Sequence, residues 1–145
     1  MRYIFILFAA AQCAVPLPSG ELDATLVSHV VVIPDAHGDL QSLLFSLFLA
    51  QAKVDPSRSE ESFTDFKRRF NDESAAEAAP TRVAIVQLGD LMDRGPDSAE
   101  CVEAMSRGER VLGWRTVQLY GNHELMTMLA PQAEYVHKQD FRGWR

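Results

Sequence analysis

Residues 83–95 read Val-Ala-Ile-Val-Gln-Leu-Gly-Asp-Leu-Met-Asp-Arg-Gly, an apolar run followed by two carboxylates and a guanidinium. The run 83–88 is typical of a buried strand. Asp90, Asp93 and Arg94 follow at the point where this strand gives way to a loop. Because ligands of open α/β sheets bind at that edge, the stretch predicts a site for metal and phosphate.

Two other apolar runs end in polar residues in the same way. The β-branched run 30–33 leads into Pro-Asp-Ala-His-Gly-Asp, where Asp39 can cap a helix with its apolar face at positions 40, 43, 44, 47 and 48. The run 116–120 leads into Gly-Asn-His-Glu and a further helix. Helices between strands imply right-handed parallel crossovers, so the three strand ends should converge. The predicted fold class is α/β, built from βαβ units with parallel strands.

The segments between these units have distinct characters. Residues 53–80 are polar and charged and predict a surface insertion, in which Phe63, Phe66 and Phe70 recur at helical spacing and predict a short helix packed on the domain. Residues 99–105 predict a short amphipathic helix, and residues 108–114 predict a connection. Cys101 is expected to be a buried free thiol.

The first 19 residues predict a secretory signal peptide. Arg2 precedes the apolar run 4–11, and small residues and two prolines follow that run. The mature domain is then residues 20–145, in the secretory pathway, either secreted or lumenal. The alternative is that the apolar run forms a first buried strand. No later segment is apolar enough for a membrane span, so none is expected in the mature chain.

The overall composition is that of one globular domain. The 145 residues are 47% hydrophobic and 23% charged, with a formal net charge of -6. A nucleic-acid-binding protein needs a basic face to neutralise phosphates. We therefore expect no nucleic acid among the partners.

The polar groups at the strand ends form a mixed oxygen and nitrogen donor set. They come from Asp35, His37, Asp90, Asn122 and His123. Such a set suits Mn, Fe or Zn better than Ca. Two cations roughly 3.5–4 Å apart can bind opposite oxygens of a phosphoryl group, and Asp90 is the obvious bridging carboxylate. Arg94 adds a bidentate grip on phosphate oxygens. A weaker alternative is that Asp90 and Asp93 only form a turn.

Three motifs, in this order, resemble those of PPP-type calcineurin-like metallophosphatases. They are Asp-Ala-His-Gly at 35–38, Gly-Asp-Leu-Met-Asp-Arg-Gly at 89–95 and Gly-Asn-His-Glu at 121–124. The run Asp-Arg-Gly-Pro-Asp-Ser at 93–98 resembles the bacterial-like branch, which includes Shewanella-like protein phosphatases and diadenosine-tetraphosphate hydrolases. The insertion and the N-terminal segment favour the former. The family fold is a β-sandwich flanked by helices.

The resemblance implies two divalent metal ions and their ligands. Asp35 and His37 would bind the first metal, Asp90 would bridge, and Asn122 would bind the second. Pro34 stands where the family has glycine, which changes the local loop but leaves both ligands in place.

The resemblance also implies three catalytic residues. His123 would protonate the leaving oxygen, and Asp93 would orient His123 by accepting its other ring proton. Arg94 would hold the phosphate. Attack by an activated water needs no nucleophilic side chain.

The family supplies two further metal-binding histidines and a second phosphate arginine after the third motif. This sequence ends at Arg145, and His29 and His137 are placed unlike those ligands, so both are expected to be structural or surface residues. The expectation is the N-terminal half of the fold, with exposed apolar surface and an unpaired strand edge that favours association with another chain.

Three functions fit these motifs. The first is a metal-dependent phosphoprotein phosphatase that hydrolyses phosphate monoesters by a two-metal mechanism. The second is a truncated, inactive phosphatase-like chain that binds only metal or a partner. The third is a dinucleoside polyphosphate hydrolase. The sequence leaves open the choice among them, the metal and the physiological target.

Overall fold

The computed structural model describes residues 6–7, 27–74 and 77–128, and in them a single sheet. The strand order is β1-β2-β3-β4, with β1 at Ile6–Leu7, β2 at His29–Ile33, β3 at Val83–Gln87 and β4 at Arg115–Gln118. Strands β2, β3 and β4 are parallel, and β1 is antiparallel to β2. The predicted α/β class with parallel strands is confirmed.

Four α-helices accompany these strands in the described part of the chain: α1 at Leu40–Val54, α2 at Phe63–Phe70, α3 at Ser98–Leu112 and α4 at Asn122–Met128. The predicted cap of α1 is confirmed, because the Asp39 carboxylate accepts the backbone N–H of Ser42 at 3.0 Å. A 3-10 turn at Pro56–Arg58 follows α1.

The core lies between the sheet and the helices α1 and α3, which also contact each other. Val31 and Ile33 of β2 point into this core, whereas their neighbours Val30 and Val32 are half-buried. Ile85 of the central strand is fully buried. This alternation in β2 shows that the helices cover one face of the sheet more completely than the other.

Helix α3 is longer than the sequence suggested. The prediction of a connection at residues 108–114 was wrong, because the helix continues through Gly108 and buries Val111 and Leu112. It ends at Gly113, which has a φ of +66° in the left-handed region that favours glycine. Strand β4 ends before the predicted residue 120, and Leu119 and Tyr120 are exposed in the following loop.

The insertion packs on the domain as predicted. Phe66 and Phe70 of α2 are fully buried. Arg69 donates to both carboxylate oxygens of Glu61 at 3.0 Å and to the Gln51 side chain of α1 at 2.6 Å. The insertion is therefore attached to α1 by aromatic packing and by a charged hydrogen-bond network.

Cys101 of α3 is a buried free thiol, as predicted. Burial raises the pKa of this thiol to about 12, so the group stays protonated at neutral pH.

Most of the predicted signal peptide lies outside the described residues. The part that is described, Ile6–Leu7, pairs with Val30 and Val31 of β2. This pairing is the arrangement expected of the alternative first strand, and the signal peptide stays a prediction. His137 also lies outside the described residues, and His29 begins β2 at the end of the strand opposite to the predicted site. In the described ranges no helix is long and apolar enough to cross a bilayer.

Candidate metal and phosphate site

The three motifs meet at the carboxyl ends of β2, β3 and β4, because the parallel register pairs Ile33 with Gln87 and Gln87 with Gln118. The first two loops are joined by backbone hydrogen bonds. The N–H groups of His37 and Gly38 donate to the carbonyls of Asp90 and Leu91 at 2.9 and 2.8 Å. Convergence at this edge was predicted from the topology, and it is confirmed.

The site loops have an unusual backbone. Among the described non-glycine residues, positive φ occurs at His37, Asp90, Asp93 and Arg94, with values of 51°, 52°, 71° and 68°. Such conformations are costly for residues with a side chain, and they persist where surrounding contacts fix them. All four residues belong to the predicted site, so the unfavourable backbone conformations of the described non-glycine residues are concentrated there.

Three of the predicted residues bring metal-binding atoms together. Donor atoms of His37, Asp90 and His123 lie within 4.8 Å of one another. A transition metal lies about 2.0–2.2 Å from its nitrogen and oxygen ligands, so two of its ligands are separated by at most about 4.4 Å. A small contraction would therefore let His37 and Asp90 share a cation, whereas both ring nitrogens of His123 already contact Asp93 and Arg94. Nδ1 of His37 is buried without a hydrogen-bond partner, as expected of an imidazole whose polar partner is a ligand.

The other two predicted metal ligands lie at the rim of this cluster. Asp35 is exposed, and its carboxylate is 3.9 Å from Nε2 of His37. Asn122 is the first residue of α4 and is exposed. Its two neighbours in the chain lie against Asp90: the His123 N–H donates to the Asp90 carboxylate at 2.9 Å, and a side chain on Gly121 would collide with that carboxylate.

His123 is fixed by two partners with opposite hydrogen-bonding roles. Its Nδ1 is 2.6 Å from the Asp93 carboxylate, and its Nε2 is 2.8 Å from the Arg94 guanidinium. A carboxylate accepts and a guanidinium only donates, so in this arrangement the ring proton lies on Nδ1 and Nε2 accepts. Both His123 and Asp93 are buried, with relative exposures of 5% and 1%. The predicted orienting role of Asp93 is compatible with this geometry.

Arg94 is exposed and contacts His123 rather than reaching into open solvent. A guanidinium has five N–H donors in a planar fork, so one contact with the imidazole leaves others for an oxyanion. The predicted phosphate-binding role of Arg94 is compatible with this position.

Glu124 has a role in the site that was not predicted from the sequence. This residue is 3% exposed, and its carboxylate accepts backbone N–H groups from Asp90, Leu91 and Gly121 at 2.7, 2.7 and 2.8 Å, with a fourth from Met92 at 3.2 Å. Glu124 thus joins the second and third motifs and holds Asp90 in its strained conformation. The loop's consecutive N–H groups need a buried acceptor, but that acceptor lies more than 30 positions away in the sequence, so no local signal identified it.

Two further polar side chains support the same loop. Gln87 is fully buried, and its amide both donates to the Gly89 carbonyl at 2.7 Å and accepts the Gly89 N–H at 2.9 Å. The Ser98 hydroxyl accepts the N–H of Asp93 at 2.9 Å. Neither role was predicted, because side chains that satisfy nearby loop backbone carry no distinctive sequence pattern.

Comparison with known proteins gives a family. A model of the calcineurin-like phosphoesterase family matches residues 28–145, which include all three motifs and the strands β2, β3 and β4. No curated protein and no solved structure matches the chain significantly. The family implies divalent metals, and the donor set fits them. This chain belongs to the calcineurin-like phosphoesterase family.

Proposed function

We propose that this chain hydrolyses phosphate monoesters on proteins with two divalent metal ions, Mn, Fe or Zn. The single observation that carries the proposal is the buried pair formed by His123 and Asp93 next to the metal donors and the Arg94 guanidinium. Hydrolysis of a phosphate ester needs positive charge on the phosphoryl oxygens and an acid for the leaving oxygen. Arg94 and the ions held by the metal donors would supply the positive charge. His123, oriented by Asp93, would supply the acid.

Asp35, His37, Asp90 and Asn122 would hold the metals. When bound, such ions stabilise the charge of the phosphoryl oxygens and lower the pKa of a water towards neutrality. Asp90 is suited to contact both ions, because its carboxylate lies between the first and third motifs.

The chain's own residues would handle the substrate and the proton. Arg94 would turn from His123 to the phosphate oxygens, which are better acceptors for a guanidinium than an imidazole nitrogen is. That movement frees Nε2 of His123 to carry a proton and deliver it to the leaving oxygen. Asp93 would stabilise the charged ring through its hydrogen bond to Nδ1.

We further propose the bacterial-like branch of PPP-type phosphatases, close to the Shewanella-like protein phosphatases. The run Asp-Arg-Gly-Pro-Asp-Ser at 93–98 and the insertion support this placement. The apolar N-terminus supports a secreted or lumenal location.

The test is hydrolysis of a generic aryl phosphate by the purified, metal-loaded chain. We expect turnover that a chelator removes and that Asp90→Asn abolishes. Comparing a phosphopeptide with a dinucleoside tetraphosphate then separates the two enzymatic alternatives. A folded chain that binds metal, as measured by calorimetry, but shows no turnover would contradict the proposal and favour the inactive, metal-binding alternative.

A further inference from the structure

A groove runs from the phosphate site along one face of α1. A single cavity of about 680 Å³ is lined at one end by Asp35, His37 and Arg94, and at the other by Phe45 and Leu49. Because the two ends share one cavity, a phosphate held by Arg94 would have its ester group directed along the helix or out to solvent. The residues that line this groove therefore influence which ester group the site accepts.

The face of α1 in the groove alternates serine hydroxyls with two large apolar side chains. Ser42, Phe45, Ser46 and Leu49 recur at the three- and four-residue spacing that places side chains on one helix face. The two serine hydroxyls already donate, to the Asp39 carboxylate at 2.6 Å and to the carbonyl of Ser42 at 2.8 Å. This face spans about 10 Å, since an α-helix rises about 1.5 Å per residue.

Phe45 is an aromatic side chain held in place on one side and open on the other. Its ring is 5.2 Å from that of Phe63 in an edge-to-face arrangement and 6.0 Å from that of Phe48. Phe63 belongs to the helix of the insertion, whose next aromatic residue, Phe66, is fully buried. Phe45 nevertheless remains 45% exposed and lines the groove. The insertion thus presents a fixed aromatic surface beside the phosphate site.

The charges of the groove disfavour a polyphosphate. Among the described residues that line it, Arg94 is the one with a permanent positive charge, whereas Asp39 brings a carboxylate that is not a proposed metal ligand. A second phosphate directed along α1 would meet this carboxylate without a cation of its own. An uncharged ester group avoids that repulsion, and an aromatic ring gains contact with Phe45.

We propose that this groove is a subsite for the aromatic ring of an aryl phosphate, the class that includes the phosphotyrosyl side chain. The inference rests on the proposed function, since the phosphate must first be bound at the metal site. Phe45 is the specificity-determining residue. The insertion positions it through Phe63.

The test measures binding rather than turnover. Calorimetry on the metal-loaded full chain compares phenylphosphonate with methylphosphonate, which share the anionic group and are not hydrolysed. We expect phenylphosphonate to bind about 3- to 10-fold more tightly, the effect of one favourable aromatic contact. Phe45→Ala should remove this preference and leave methylphosphonate binding unchanged. Met128→Ala, at a residue that is 67% exposed and outside the groove, is the control and should keep the preference.

The possible outcomes separate the inference from the function on which it rests. If neither phosphonate binds, the proposed function fails and the subsite with it. If both bind equally to the unaltered chain, the subsite alone is overturned. Equal affinity for cyclohexylphosphonate and phenylphosphonate would overturn the aromatic assignment. If Phe45→Ala changes the sedimentation mass but not the preference, the surface binds a second copy and the inference is wrong. Phe45→Leu, which keeps most of the packing with Phe63, repeats the test if the alanine variant does not fold.

Discussion

Glu124 is the single residue on which most of the site's backbone depends. Its carboxylate accepts four N–H groups from three consecutive residues of the second motif and one of the third, and it is almost fully buried. An amide in its place would turn an NH₂ group towards donors that need an acceptor. Buried donors left without a partner cost about 1–3 kcal/mol.

Glu124→Gln should therefore lower the free energy of unfolding by about 2–4 kcal/mol and weaken metal binding at least tenfold. Urea unfolding gives the first value and metal titration the second. Glu109→Gln is the matched control, because Glu109 is exposed and should change stability by less than about 0.5 kcal/mol. Equal stability and metal affinity in the two variants would show that Glu124 does not position the site loop.

The elements differ in how well their limits can be predicted from sequence. Strands β2 and β3 and the start of α1 follow from apolar runs and a capping aspartate, which are local signals. The end of α3 was misplaced because Gly108 resembles a helix breaker, whereas the residue that ends the helix is Gly113. The Glu124 contacts join residues more than 30 positions apart, and no local pattern announces them.

The two glycines of α3 should respond in opposite ways to alanine. Gly113 has a φ of +66°, and an added Cβ would collide with the carbonyl of Ala79, so Gly113→Ala should destabilise the fold by at least about 2 kcal/mol. At Gly108 an added Cβ meets nothing within 4 Å, and Gly108→Ala should stabilise the helix by about 0.5–1 kcal/mol. Thermal unfolding measures both changes. Destabilisation at both positions would show that position 108 does not tolerate a side chain.

The attachment of the insertion to α1 should depend on pH. The two hydrogen bonds from Arg69 lower the pKa of Glu61 below its usual value of 4.5. A carboxyl whose pKa is lower in the folded state adds stability above its unfolded pKa and loses that contribution as the pH falls through the folded pKa. The contribution should thus be complete at pH 6 and should shrink below about pH 4.5.

Arg69→Gln should cost about 1–3 kcal/mol at pH 6, since hydrogen bonds between charged groups in a partly buried network are involved, and the cost should shrink in acid. Arg68→Gln is the matched control on the adjacent residue. The Arg68 side chain is 80% exposed, and its pair with Asp65 should contribute at most about 1 kcal/mol. Urea midpoints at pH 6 and pH 4 test both variants. A cost for Arg69→Gln that does not change with pH would assign the effect to packing on Phe66 instead.

For the whole molecule, the distribution of exposed apolar side chains is uneven. Of the six large hydrophobic residues described as exposed, Phe45 lies on α1, and the other five follow β3 or β4 or lie on α4: Leu88, Leu119, Tyr120, Leu125 and Met128. Strand β4 is also the last strand of the sheet in the described part of the chain. An apolar surface next to an open strand edge favours pairing with another chain.

We therefore predict that the 145-residue chain associates with itself as its concentration rises, through the edge of β4 and the surface around Tyr120. Tyr120→Lys should weaken this association about tenfold or more, because a charge beside an open edge opposes strand pairing. Phe45→Lys, which adds the same charge at an exposed aromatic residue on α1, should leave the association unchanged. Sedimentation velocity over a range of concentrations measures both. A chain that stays monomeric at every concentration would contradict this prediction.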